Sequence, residues 1–154
     1  MSDCTNTIII RHRKENLKKC SLRGLEIRQD MTFYTYPNTN IDQDLSNYIL
    51  LTMDAPPLTE KDKDKGLLLI DGTWRYAEKM LENIPELEQC SKRSLPNCYR
   101  TAYPRKQTEC PDPETGLASI EALYIAYLIC KKNPDGLLDH YHWRNNFLDI
   151  NNIH

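Results

Sequence analysis

The chain has 154 residues and a mass of 18.1 kDa, the size of one domain. It is 40% hydrophobic and 27% charged, with 20 Lys and Arg against 22 Asp and Glu, which supports a core and excludes a disordered polyelectrolyte. No apolar run nears the ~18 residues of a membrane span, and the N-terminus lacks the features of a signal peptide, so a soluble cytoplasmic protein is expected.

Residues 7–11 (T-I-I-I-R) are a β-branched run that predicts a buried strand. The chain then turns polar and basic as far as Asp30, with Gly24 as a break. Residues 32–36 alternate aromatics and threonines, as a second strand does, and Pro37-Asn38 ends it. Residues 48–52 (Y-I-L-L-T) predict a third strand, which runs into Pro56-Pro57. The charged stretch 58–65 predicts a short surface helix. Four successive apolar residues at 67–70 predict a fourth strand, covered on both faces as in a parallel sheet.

Trp74, Ala77, Met80, Leu81 and Ile84 then share one helix face, with Thr73 as N-cap and Pro85 as stop. Residues 98–103 (C-Y-R-T-A-Y) predict another strand and 104–116 an irregular loop. Residues 118–132 are apolar nearly all round and predict a buried helix. A turn at 133–136 precedes a last helix over 137–151. Strands alternating with helices imply an α/β domain with a mostly parallel sheet.

Six cysteines lie at 4, 20, 90, 98, 110 and 130, with no C-x-x-C pair. That spacing favours reduced thiols over a disulfide framework or a zinc site. His140 and His142, two apart, would not face one side of a helix, and no metal is expected. Charge is uneven along the chain. Residues 10–30 hold seven Lys and Arg against three acids, and 91–106 hold five and no acid. Two basic islands on an acidic chain fit either a polyanion site or two solvated faces.

The segment Asp71-Gly72-Thr73-Trp74 stands at the carboxyl end of a buried strand and opens a helix, where α/β sheets bind ligands. Gly72 admits a close backbone approach, Asp71 supplies a carboxylate, and Trp74 a flat apolar face. The alternative is an Asp capping a helix and a Trp filling the core. Dinucleotide, P-loop, zincin and G-x-S-x-G patterns are missing.

Residues 66–80 (G-L-L-L-I-D-G-T-W-R-Y-A-E-K-M) resemble the signature of the DTW-domain proteins, within a superfamily of RNA aminocarboxypropyltransferases that has a tRNA and a ribosomal RNA branch. Three further stretches agree in order and spacing: Lys19-Cys20-Ser21; Leu95-Pro96 followed by Leu117 to Leu123 (L-A-S-I-E-A-L); and His140, Trp143, Phe147, Leu148 and Asn151 near the end. The chain departs from the ribosomal branch at Gly72-Thr73, which match the tRNA branch. It departs again at Met53, where that branch usually has Pro, and in the basic stretch 99–106. The resemblance thus leaves the RNA, ribosomal or transfer, open.

What the resemblance implies is a SPOUT-like α/β domain over 41–154, its C-terminal chain threaded through a trefoil knot, with 1–40 as a small N-terminal lobe. It implies S-adenosylmethionine as donor and N3 of a uridine-type base in RNA as acceptor, with methylthioadenosine leaving. Asp71 becomes the catalytic candidate, as base, as orienting group for N3–H, or as counter-charge to the sulfonium. Trp74 would lie on the adenine, opposite Leu51, Thr52 and Met53. Ser21 would hold the amino-acid end, and Leu95, Tyr99, Leu117 and Ser119 would complete the pocket. Glu121 would orient the loops from the helix start or stand on the helix surface. Arg11, Arg13, Lys14, Lys18, Lys19 and Arg23, with Lys92, Arg93, Arg100, Arg105 and Lys106, would follow an RNA backbone. A monomer is expected. The rival readings are a methyltransferase of the same fold and a non-catalytic RNA-binding ribosome-assembly factor.

Overall fold

The computed structural model describes residues 6–14, 22–39, 41, 43–52, 55–71, 74–96, 98–102 and 117–153. Five parallel strands form one sheet: β1 (Thr7–His12), β2 (Met31–Tyr36), β3 (Tyr48–Leu51), β4 (Gly66–Asp71) and β5 (Ser91–Arg93), in the order β2-β1-β4-β3-β5. Three helices accompany them: α1 (Trp74–Asn83), α2 (Ser119–Ile129) and α3 (Arg144–Ile150). Among the described residues no helix is long and apolar enough to cross a membrane.

Both faces of the sheet are covered, which is why its central strands read as unbroken apolar runs. On one face Ile9, Ile49, Leu51, Leu67 and Leu69 pack with Leu22, Leu25, α2 and Phe147. On the other, Ile8, Ile10, Tyr48, Leu50 and Leu68 pack against Met80 and Ile84. No residue of α2 is exposed, because the sheet lies on one side of it and the C-terminal chain, through Tyr141 and Phe147, on the other. Residues before position 40 supply β1 and β2, and β1 pairs with β4 in the same sheet as the rest.

Three elements differ from the sequence expectation. The fifth strand is Ser91–Arg93, which pairs with Ile49–Leu51, while residues 98–102 are irregular. A three-residue edge strand is made by backbone pairing, and its polar side chains carry no alternation to read. The last helix is confined to Arg144–Ile150, preceded by successive turns. Gly136 there has φ +84°, in the left-handed region, and the N–H groups of Leu137 and Asp139 close tight turns onto Pro134 and Gly136. The charged stretch at 58–65 makes only the 3-10 turn Glu60–Asp62. Thr59 caps it, accepting from Lys61 N and donating its own N–H to Asp62.

Candidate functional site

Leu22 and Leu25, between β1 and β2, pack on one face of the sheet, and α1, between β4 and β5, packs on the opposite face. The crevice outside the carboxyl ends of β1 and β4 is therefore the topological switch point, the place where open α/β sheets bind ligands. Parallel register puts Arg11 directly beside Asp71 there. Both side chains are buried. Arg11 Nε donates to Asp71 Oδ2 at 3.3 Å, and Ser119 Oγ donates to Asp71 Oδ1 at 2.7 Å. Asp71 is thus held from both oxygens, one tied to β1 and the other to the start of α2.

Arg11 also donates through Nη1 to Glu26 Oε2 at 3.0 Å, and its guanidinium lies 4.9 Å from the centre of the Phe33 ring. Burial pushes the Glu26 carboxyl up. Backbone N–H groups at Glu26 and Gly24, and the bond from Arg11, outweigh that and hold it below its ordinary value. Arg11 had been expected on the phosphate-following island. It is instead buried between two carboxylates, because a cation on the inward side of a central strand needs counter-charge.

Glu121 is fully buried in the first turn of α2 and accepts four hydrogen bonds. Oε1 accepts from Thr101 Oγ1 (2.6 Å) and Ala118 N (2.8 Å), and Oε2 from Ala102 N and Tyr141 Oη (both 2.8 Å). Of its two sequence readings, the one that orients loops from the helix start is what the geometry gives. Leu95, Tyr99, Ala102 and Leu117 pack against the same apolar cluster that holds Leu51, so four of the predicted donor-wall residues, Leu51, Leu95, Tyr99 and Leu117, share one cluster. Thr52 is half-buried and donates its N–H to Arg93 O at 2.9 Å.

On the α1 side of the same edge, His12 stacks on Tyr76 with ring centres 3.9 Å apart, and Tyr36 lies tilted at 5.4 Å. Its Nδ1 accepts from Lys14 N. Burial, with Arg13 and Lys14 nearby, lowers the His12 pKa. A surface hollow lined by Tyr124, Pro134, Gly136, Leu138, Arg144 and Leu148 lies between α2 and α3 and holds none of the predicted site residues.

The DTW domain family model matches residues 1–148 of the 154. The chain belongs to the DTW-domain family. Among solved structures, the DTW chain is similar to the SAM-dependent rRNA:acp-transferase Tsr3 from Vulcanisaeta distributa, with a TM-score of 0.73 and 25% identity over 97% of this chain and 80% of that one. Curated protein sequences give no match.

Within this DTW domain, the aspartate of the D-G-T-W segment ends β4 and the tryptophan opens α1. The Trp74 side chain, Ser21, Met53, Lys18, Lys19, Arg105 and Lys106 lie outside the described part, as does the loop expected at 104–116. Arg13, Lys14, Arg23, Lys92 and Arg100 are exposed. Arg93 is half-buried and pairs with buried Asp62 at 3.4 Å, so it is anchored to the protein. Arg13 and Lys14 follow the carboxyl end of β1, and Arg93 is the carboxyl end of β5. In a parallel sheet these are one edge, and the two strands are three spacings apart, about 14 Å. Among the described residues no group of three His, Cys, Asp or Glu gathers as a metal site would require.

The Arg11–Asp71 pair, Glu26, and the part played by Tyr141 and Asn151 are not among the sequence expectations. Asn151 had signalled itself as the last residue of a matching motif. Arg11 had no local signal, since its partner is 60 positions away.

Proposed function

We propose that this protein transfers the 3-amino-3-carboxypropyl group of S-adenosylmethionine to N3 of a uridine-type base in RNA, releasing methylthioadenosine. The observation that carries the reading is Asp71, the aspartate of the DTW signature, held from both oxygens at the switch point of the sheet. The similar Tsr3 structure is of an enzyme that uses this donor and acts on rRNA, which favours ribosomal over transfer RNA as the acceptor.

The residues present fit such a donor. Leu51, Leu95, Tyr99 and Leu117 offer an apolar wall for an adenine, and Asp71 offers a carboxylate to a cationic sulfonium or ammonium group. The donor supplies a carbon made electrophilic by its sulfonium. Because all three carbons on that sulfur are activated, the protein's task is to select one by orientation. Trp74 would close the adenine site, and Met53 and Ser21 the rest of it. Asp71 already accepts from Arg11 and Ser119, so its position is fixed. We assign it to orienting N3–H and balancing the sulfonium charge, in place of free general-base work: as the N3–C bond forms and the C–S bond to methylthioadenosine breaks, the N3 proton passes to water.

The reading includes a SPOUT-like arrangement with a C-terminal trefoil knot and a monomeric protein acting in the cytoplasm. RNA would lie across the carboxyl edge of the sheet, along Arg13 and Lys14 on one side and Lys92 and Arg100 on the other.

The test is to incubate the purified chain with S-adenosylmethionine and ribosomal or transfer RNA, then analyse the nucleosides and by-product by mass spectrometry. Methylthioadenosine and an aminocarboxypropyl nucleoside from ribosomal RNA are expected, and Asp71→Asn should abolish both. S-adenosylhomocysteine with a methylated nucleoside would assign a methyltransferase instead. RNA binding with no turnover would assign an assembly factor.

A further inference from the structure

The stretch 98–102 carries Tyr99 of the proposed donor wall and Arg100 of the proposed RNA edge, yet it forms part of no strand or helix. Its backbone is held by side chains instead. The Asn151 carboxamide, just past the end of α3, faces the Arg100 residue as a neighbouring strand would. Oδ1 accepts from Arg100 N at 2.8 Å, and Nδ2 donates to Arg100 O at 2.8 Å. The same Nδ2 donates to Phe147 O at 2.9 Å, which ties the clamp to α3, and Phe147 fixes α3 in the core. One and two residues further on, Thr101 Oγ1 and Ala102 N donate to Glu121 of α2. The loop is therefore pinned at position 100 by α3 and at 101–102 by α2.

We infer that Asn151 is a positioning residue. By holding the Arg100 backbone it sets Tyr99 against the donor and Arg100 towards the RNA, so one carboxamide couples the two substrate sites. This rests on the proposed function. The chemistry asks for asparagine in particular, since the position needs an acceptor for one N–H and two donated hydrogens on a short stem. Aspartate has the same shape but turns lone pairs towards the carbonyl oxygens of Arg100 and Phe147. Glutamine would overshoot by one methylene.

A double-mutant cycle on the full chain tests it, with wild type, Asn151→Asp, Arg100→Ala and the double variant. The probes are a single-stranded oligouridine, titrated over a range of salt, and S-adenosylmethionine, followed by calorimetry. Removing one phosphate contact should flatten the slope of log affinity against log salt by about 0.7. Asn151→Asp should flatten it by the same amount as Arg100→Ala, and the double variant by no more than either alone. Asn151→Asp should also weaken the donor several-fold, because Tyr99 moves with its neighbour. If melting shows Asn151→Asp to be unfolded, Asn151→Ala takes its place in the cycle. Additive losses, or unchanged affinities in a folded variant, would mean that Asn151 only stabilises α3, and would overturn the inference. A wild-type chain that binds neither probe would overturn the enzymatic reading itself.

Discussion

Replacing Glu121 by glutamine tests the pocket scaffold most directly, because the change is isosteric and the geometry fixes its cost. Each carboxylate oxygen accepts one backbone N–H and one hydroxyl: Ala118 N with Thr101 Oγ1 at Oε1, and Ala102 N with Tyr141 Oη at Oε2. A glutamine amide has one oxygen and one NH2 group. Whichever way it is turned, the NH2 faces a donor pair. The hydroxyl of that pair can rotate and accept, but the backbone N–H cannot. One buried N–H is therefore always stranded against another, in either orientation. A hydrogen bond to a charged group contributes about 1.5–3 kcal/mol, and a buried unsatisfied donor costs about 1–3 kcal/mol. The expected loss is about 2–4 kcal/mol, which at roughly 2–4 °C per kcal/mol for a chain of this size lowers Tm by about 4–16 °C. Tyr141→Phe removes one of the four donors and leaves the others in place, so it should cost about 1–2 kcal/mol. Thermal unfolding followed by circular dichroism measures both. If Glu121→Gln melts within about 1–2 °C of wild type, the requirement for four donors around a carboxylate is refuted.

Three other outcomes follow from the same structure. Arg11→Met removes the cation between buried Asp71 and half-exposed Glu26, and should cost on the order of 3 kcal/mol; a melting temperature equal to that of wild type would show that the pair is not needed. Gly24 has φ +94°, and a Cβ there would run into the His140 ring, so Gly24→Ala should lower stability by about 1–3 kcal/mol, whereas a neutral or stabilising result in denaturant melts would contradict the left-handed turn. His12 is held below its ordinary pKa of 6.5, so the unfolded chain binds its proton first as pH falls. Stability should therefore decline below about pH 6.5, ahead of the further loss as pH falls below the ordinary Glu26 value of 4.5, and His12→Gln should erase the first decline in urea titrations while keeping the second.

Much of the architecture was legible along the chain because burial on both faces leaves a one-dimensional trace. The triple isoleucine of β1 and the leucines of β4 are apolar without interruption, since every position of the two strands is buried except the half-buried Ile70. α2 is apolar nearly all round for the same reason, sandwiched between sheet and C-terminal chain. The position of Asp71 was legible too, as a carboxylate between an apolar run and a helix start. The family signature added the chemistry to that position.

Other features had no such trace. β5 is the sequence Ser91-Lys92-Arg93, and it is a strand only because Ile49–Leu51 offers a free edge to pair with. The seven residues before α3 contain good helix formers, but the turns around Gly136 use the backbone N–H groups otherwise. The sequence by itself set which segments are buried and where a charged group interrupts them. Only the tertiary structure decided that Arg11 faces Asp71 instead of an RNA phosphate, and that Asn151 holds Arg100. Both are pairings across tens of residues, made by strand register and helix packing, and local spacing carries no record of a contact that the fold itself creates.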